Sequence, residues 1–555
     1  MPPELSPLSR EDLADMIMSQ RVEHAALLHE REALQREIIA LRAEANESQA
    51  KIDYIQQKLF APTSEKKPYV ERDGKQETFL GTSVDQEPVA AQEIVVPAHT
   101  RVKKGHGRKP VSRELPVVEI IIPATPAEKI GPQGEALVLL GYETSDKIHI
   151  VPSTLQRLRT KREKWGFADT RETVHVAEVE PCLIPKGKAT DAFVLDVILN
   201  KYQLSLPLYR QVGVLNARGA DINASWMSDL IKQAAPLFTP IHAAIRDHLL
   251  QQRIVYVDET PVRQLQPTTQ RSDNDKTVHT GYYWAWIGGD PDNAQCYFHY
   301  DTTRSQRALR TVLQIPDDDP WDTDGCIALL MCDGYAAYNL INTVPMTNEQ
   351  RRIQRIACWV HVRREFQKAA DYGDDNAVGM ITLINKIFTQ ERTIRKANEK
   401  AQRRGDDAVH YVLSERNTHS KPIIEQLLIA INKCRPHYTP QRQMSKAIAY
   451  TLKLWDNLTA FLQHGDAPVD NNTAERAIRP LAVGRKNWLF VGSEDAGMWS
   501  AIFFSLIESC RLQKIDPRAY FNYVTPILVK RDPHTDYRQL MPIAVKDKLV
   551  GIKTS

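Results

Sequence analysis

The stretch Cys326–Cys332, CIALLMC, constrains the fold more than any other part of the chain: seven residues without a charged side chain, closed by Asp333-Gly334. Such a run fits a central strand covered on both faces, the habit of strands flanked by helices. Upstream, RIVYVDET from Arg253 reads as a buried-type strand ending in Asp258. GYYWAWIGG (281–289) and AQCYFHY (294–300) read as two further strands rich in aromatics. Three strands in succession, joined by turn-like segments, predict an antiparallel meander. TTRSQRALRTVL supplies a helix before the apolar strand, and a helix through Tyr335 to Leu340 follows it. A strand at IACWV (356–360) and the basic helix HVRREFQKAA, with Arg363 and Arg364, complete the series. The order βββαβαβα is that of a ribonuclease-H-like fold.

In this reading two strands end in an aspartate, and the ends of adjacent parallel strands lie side by side. Asp258 and Asp333 are then placed to share cations. Mg²⁺ or Mn²⁺ takes oxygen ligands, and two such ions roughly 4 Å apart stabilise both the attacking and the leaving oxygen of a phosphodiester displacement. A strand-end turn residue is the plainer reading of each aspartate alone. A third carboxylate, Glu475, stands in VDNNTAERAIRPLAVGRKNWLFVGS (469–493). With Asn472 as cap, Glu475 takes the third helical position, which is also a capping box. The same helix carries Arg476 and Arg479 and leads to Arg485, Lys486 and Trp488, a basic surface suited to phosphates rather than to a core. Trp488 reads equally as a base-stacking residue or as a core tryptophan.

The chain has 555 residues, room for three or four domains at roughly 150 residues each. Its 72 Lys and Arg against 69 Asp and Glu leave a net charge of only +3, so a nucleic-acid partner is met by local basic patches. Seven cysteines form no C-x-x-C pair, which predicts reduced thiols. The polar, acidic start MPPELSPLSRED and the lack of a long uncharged apolar run predict a cytoplasmic chain with no membrane partner; binding to DNA would make it nucleoid-associated.

Outside the centre, the spacing predicts distinct segments. From Leu27 to Leu59, eight of ten seam positions spaced alternately four and three are apolar, on a stretch free of Pro and Gly. That predicts a coiled coil over about 10–60 that pairs chains, or one long amphipathic helix packed on its own domain. Residues 61–116 read as a basic linker, and within it the run RVKKGHGRKPVSRE (101–114) sets Arg101, Lys103, Lys104, Arg108, Lys109 and Arg113 against one acid, Glu114. Such a run suits phosphate or minor-groove contact, or is a solvated linker. Residues 117–180 alternate β-branched runs with polar turns, a small β-rich module holding the basic cluster RLRTKREK (157–164). Residues 185–250 read as helices broken near Pro207 and at Gly219, with Asn223 capping the last, a helix-turn-helix shape. ITLINKIF, KPIIEQLLIAINK and SKAIAYTLKLWDNLTAFLQ are helical patterns.

YVDETPV, MCDGYAAYN, ACWVHVRREF and DNNTAERAIRPLAVGRKNWLFVGS resemble the marker motifs of insertion sequence 66 family transposases, in that family's order, over about 253–523. The G-H-G-R-K-P segment and K-Y-x-x-x-x-P-L-Y-R-Q (Lys201 to Gln211) also resemble the family. The resemblance implies a ribonuclease-H-like core in which Asp258, Asp333 and Glu475 form a DDE triad holding two Mg²⁺ or Mn²⁺ ions. It also implies a helical insertion before the final Glu, and accessory proteins from the same element. The family's cysteine-paired zinc module is a departure: no Cys precedes Cys182, and EKIGPQGE and KREKWGFAD stand where the ligands would be. With only His149 and His175 in that module, no zinc is expected.

The fold class is therefore a multidomain α+β chain: coiled coil (10–60), basic linker (61–116), β-rich module (117–180), helix-turn-helix-like region (185–250), catalytic core (251–372 and 466–523), helical insertion (373–465) and C-terminal tail (524–555). The expected function is a DNA transposase that cleaves transposon ends and joins the 3′-hydroxyl to target DNA, as a homo-oligomer formed by the coiled coil. Two alternatives stay open: a non-catalytic DNA-binding or assembly protein on the same scaffold, and a metal-dependent nuclease that cuts without joining. Retention of all three acids favours catalysis.

Overall fold

In a computed structural model, the described residues are 155–166, 173–266, 278–289, 293–315, 327–342 and 353–549, with isolated positions at Met18, Glu119, Ile121, Pro132 and Tyr142. The expected coiled coil, apart from Met18, and the basic run from Arg101 to Arg113 lie outside them, as do His149 and most of the β-rich module. A short antiparallel pair of that module is described, β1 (Lys164–Gly166) with β2 (Thr173–Val176).

Three helices follow: α1 (Asp191–Tyr202), α2 (Leu208–Asn216) and α3 (Ala224–Leu250). Their breaks fall where the sequence placed them. Pro207 precedes α2, Gly219 adopts φ +88°, and the Asn223 side chain accepts the Trp226 N–H at 2.9 Å to start α3. The meander is β3 (Ile254–Leu265), β4 (Val278–Gly288) and β5 (Gln295–Asp301), antiparallel throughout. Strand β3 outruns its expectation: it continues through Pro261 to Leu265, so Asp258 is the fifth of twelve residues and not the last. Helix α4 (Gln306–Leu313) precedes β6 (Leu329–Cys332), a 3₁₀ helix (Ala336–Asn342) and β7 (Gln354–Ala357), which pairs parallel with β6. Strand β7 begins and ends earlier than IACWV suggests. Trp359 and Val360 instead open α5 (Trp359–Asp371).

The next helices are α6 (Asp375–Lys400), α7 (Gly405–Glu415), α8 (Lys421–Cys434), α9 (Gln443–Lys453) and the short α10 (Trp455–Thr459). Helix α11 (Asn472–Trp488) leads into β8 (Phe490–Val491), which pairs parallel with Arg263 and Gln264 of β3. Helices α12 (Glu494–Leu512), α13 (Pro517–Leu528) and α14 (Pro542–Leu549) end the chain. The last of these packs against the protein, for its Val545 and Leu549 are buried. No helix among the described residues is long and apolar enough to cross a membrane. Cys182, Cys296, Cys332, Cys358, Cys434 and Cys510 are free thiols.

The chain divides into two compact units. One takes Leu329–Val344 and Ile353–Asn471, and so holds β6, β7 and helices α5 to α10. Its core is centred on Trp359, whose indole N–H donates to the Leu458 carbonyl at 2.9 Å.

The other unit holds the meander, α1 to α4 and everything from Asn472 onward. Phe238 of α3 meets Phe503 and Phe521 with ring centroids 5.6 and 5.3 Å away, in an aromatic core on the covered face of the sheet. The free edge of β5 is satisfied by side chains rather than by another strand. Ser505 Oγ accepts the Phe298 N–H at 2.7 Å and Ser509 Oγ accepts the Cys296 N–H at 2.9 Å. Gln513 donates to the Ala294 carbonyl at 2.6 Å, so helix α12 closes an edge that would otherwise template pairing.

Candidate active site

Asp258 stands on the even-numbered face of β3 with Tyr256 and Thr260, opposite Ala285 of β4. Its neighbour Glu259 points the other way, where its carboxylate, only 1% exposed, is taken by Arg304 from the turn before α4. Adjacent acids on one strand thus have separate surroundings, one committed to a guanidinium and the other on the face that α11 covers.

Helix α11 packs on β3 and β4. Arg485 fixes its far end by donating to Thr260 Oγ1 at 2.5 Å and to the Pro261 carbonyl. Thr260 and Asp258 share a face, so the helix lies on Asp258's side of the sheet, and β8 continues parallel to β3 just beyond it. Glu475 occupies the first turn of α11, ten residues before Arg485. At about 1.5 Å rise per helical residue, that turn lies about 15 Å along the helix axis from Arg485. Helix α11 starts at Asn472, one residue earlier than a cap there would require, and Glu475 Oε1 is shut off from solvent.

Asp333 belongs to the other unit, immediately after the apolar strand β6. Its Oδ1 accepts the Tyr335 N–H at 2.9 Å, closing the Asp-Gly turn, and its backbone carbonyl accepts from Arg355 of β7 at 2.6 Å. Gly334 is required by the close approach of α9: a Cβ there would stand 2.5 Å from the Tyr450 ring. Burial, and then the charge of Asp333, push the Tyr450 hydroxyl far above its ordinary pKa, so it is a neutral neighbour of the carboxylate.

Of the basic residues named from sequence, Arg363 and Arg364 on α5 and Arg476, Arg479 and Lys486 on α11 are exposed. Arg485 is half-buried and holds α11 to β3. Trp488 is half-buried too, and its indole N–H is enclosed in the protein. Two residues escaped the sequence reading, Arg355 beside Asp333 and Lys201 at the far end of α11. Arg355 adjoins the IACWV strand and was passed over as a flank, and Lys201 was one residue of a motif. The signal for Arg355 was a cation at the margin of an apolar strand next to a buried one.

The chain matches the family described as "Transposase IS66 family" over residues 186–499. Residues 47–120 match "Transposase C of IS166 homeodomain". Among curated proteins it is similar to uncharacterized protein y4qI of Sinorhizobium fredii (strain NBRC 101917 / NGR234), 26% identical over 443 residues, which cover 78% of this chain and 76% of that protein. It is similar also to uncharacterized protein y4jD of the same strain, 26% identical over 393 residues, 69% of this chain and 71% of the relative.

Proposed function

The chain belongs to the IS66 family of transposases, and from that premise we propose that it binds transposon ends, cleaves them by metal-dependent phosphodiester hydrolysis and joins the freed 3′-hydroxyl to target DNA. The observation that carries this reading is the seating of α11 on Asp258's face of β3 with Glu475 in its first turn. The order of elements from β3 to α5, three strands then helix, strand, 3₁₀ helix, strand and helix, supports a ribonuclease-H-like core.

In this proposal Asp258, Asp333 and Glu475 are the catalytic carboxylates. Carboxylate oxygens are the donors that Mg²⁺ or Mn²⁺ prefers. Two such ions, when bound, supply charge stabilisation to the attacking and leaving oxygens. The chain's own part is to hold three anionic groups on rigid elements: a strand interior, a strand-end turn tied by Tyr335 and Arg355, and a helix anchored by Arg485. Arg363, Arg364, Arg476, Arg479 and Lys486, with the linker cations Arg101, Lys103, Lys104, Arg108 and Lys109, take DNA phosphates. Chains associate through the segment 10–60, and proteins of the same element assist. No structural zinc is required, since the β-rich module lacks thiolates.

The test is strand cleavage and strand transfer with wild-type protein and the variants Asp258→Asn, Asp333→Asn and Glu475→Gln. Each variant is expected to abolish both reactions while DNA binding and unfolding temperature stay near wild type. Cleavage surviving in all three would overturn the reading; cleavage without joined products would leave a nuclease.

A further inference from the structure

Lys201, the penultimate residue of α1, points its ammonium at the rings of Tyr202 and Trp488, 5.5 and 5.8 Å from their centroids. No carboxylate is bonded to it among the described residues, and burial alone pulls its pKa down to about 8. Beside it the chain turns sharply. Ser205 adopts φ +57°, and its carbonyl accepts from Asn487 of α11 at 3.1 Å, which ties the α1–α2 turn to the end of that helix.

Gly484 packs against the same turn: a Cβ built there would stand 2.9 Å from Trp488 Nε1 and 3.1 Å from Ser205 Oγ, so the glycine lets an indole N–H and a hydroxyl come close together. Trp488 Nε1 has no acceptor. The junction between the end of α1 and the end of α11 therefore gathers an ammonium, an indole N–H and a hydroxyl, with no anion bonded to them among the described residues. An enclosed N–H without an acceptor and a half-buried ammonium without a counter-charge among the described residues cost free energy in the unbound protein. An oxyanion relieves that cost at once. Exposed Lys486 on α11 gives the approach the right sign, and exposed Leu204, Leu489 and Phe490 give the rim an apolar surface for a sugar face.

We propose that Lys201, Ser205 and Trp488 form a phosphate-binding site that takes one backbone phosphate of DNA, separate from the carboxylate centre. It rests on the reading of this chain as a DNA-binding transposase and adds to it a dedicated contact built on the α1–α2 turn. Trp488 then serves as a hydrogen-bond donor whose ring face Lys201 occupies, rather than as a stacking platform for a base.

The experiment is the salt dependence of binding of the full chain to a fluorescein-labelled DNA duplex, for wild type, Lys201→Met and Trp488→Phe. Phosphate contact is sequence-independent, so a duplex of arbitrary sequence suffices. Lys201→Met is expected to flatten the slope of log affinity against log salt by about one unit. Trp488→Phe, which keeps the ring and removes the donor, is expected to weaken binding at every salt concentration with the slope unchanged. Lys201→Met removes a desolvated charge, so its folding is not at risk, and thermal melting checks this. Slopes and affinities equal to wild type in both variants would overturn the proposal. So would stabilisation of wild type, but not of Lys201→Met, by inorganic phosphate with DNA binding identical in the two, because the site would then serve a free anion. Intact cleavage in the carboxylate variants together with a flattened Lys201→Met slope would reject the catalytic reading and keep this site.

Discussion

Arg355 donates from its Nη2 to the backbone carbonyl of Asp333 at 2.6 Å, and the same guanidinium reaches Asn339 Oδ1 at 2.9 Å and Cys332 Sγ at 3.2 Å. The side chain is 1% exposed and lies over the Tyr338 ring. A planar fork thus ties the end of β6 and the 3₁₀ helix after it to β7, with Asp333 between them. A lysine has no such fork.

Arg355→Met should therefore loosen the Asp333 turn as well as lower stability, by about 1.5–3 kcal/mol for hydrogen bonds to a charged donor. In cleavage assays the Mg²⁺ concentration for half-maximal rate should rise, with Arg355→Lys intermediate. An unchanged Mg²⁺ requirement in a folded variant would confine Arg355 to a structural part.

The serine edge of β5 makes a second prediction. Ser509→Ala leaves the Cys296 N–H buried with no acceptor, and Ser505→Ala does the same to Phe298. Each should cost about 1–3 kcal/mol in urea unfolding. Ser505→Cys, which keeps a weak acceptor, should cost less than Ser505→Ala. Equal losses would mean that packing, not the hydrogen bond, closes the edge.

Much of this architecture was legible in the sequence where local chemistry decides it. The cap of α3, the breaks at Pro207 and Gly219 and the apolar strand before Asp333 depend on neighbours a few residues away, so they are legible in the pattern. Strand β3 runs beyond Asp258 because its partner β4 stays paired with it as far as Leu265, which local pattern does not encode. Trp359 was given to a strand because an aromatic after an apolar run looks extended. Its backbone N–H instead bonds the Val469 carbonyl, 110 positions away, and opens α5. The acids were legible as residue types, but the division between Glu259, bound to Arg304, and Asp258 on the α11 face comes from tertiary packing that spacing does not encode.

A third prediction concerns the helices before Glu475. Arg416, 1% exposed in a π-helical turn, is paired with Glu391 at 2.7 Å. It also donates to the carbonyls of Phe461, His464 and Ala467, at 2.9, 2.5 and 2.8 Å. These carbonyls lie on the segment leading to α11. Arg416→Met leaves a buried carboxylate without its cation and should cost about 3–5 kcal/mol, much of it recovered in Arg416→Met with Glu391→Met. Thermal unfolding of the four-member cycle decides. Additive losses would show that the pair is not coupled.

The last prediction is a pH dependence from α3 and β5. The His242 ring stacks on Tyr297 at 4.3 Å, and one ring nitrogen bonds the Phe298 carbonyl at 3.0 Å, so the neutral tautomer donates there. Burial pulls its pKa down to about 3; the Phe298 carbonyl opposes this, and the positive charges of His299 and Arg246 add to it. His299, for the same first reason, is pulled down to about 4, with Asp301 opposing and Arg307 and Arg246 adding. In the unfolded chain both titrate near about 6.5. Between that value and the folded ones the unfolded state binds more protons, so stability rises with pH. The contribution is fully present above about 6.5 and drains away as the pH falls toward about 4. At pH 5 each histidine should cost about 2 kcal/mol relative to neutral pH. His242→Gln, which keeps a donor for Phe298 and does not titrate, should remove one share of that slope. Urea midpoints from pH 5 to pH 8 measure it, and parallel profiles for wild type and His242→Gln would sink the assignment.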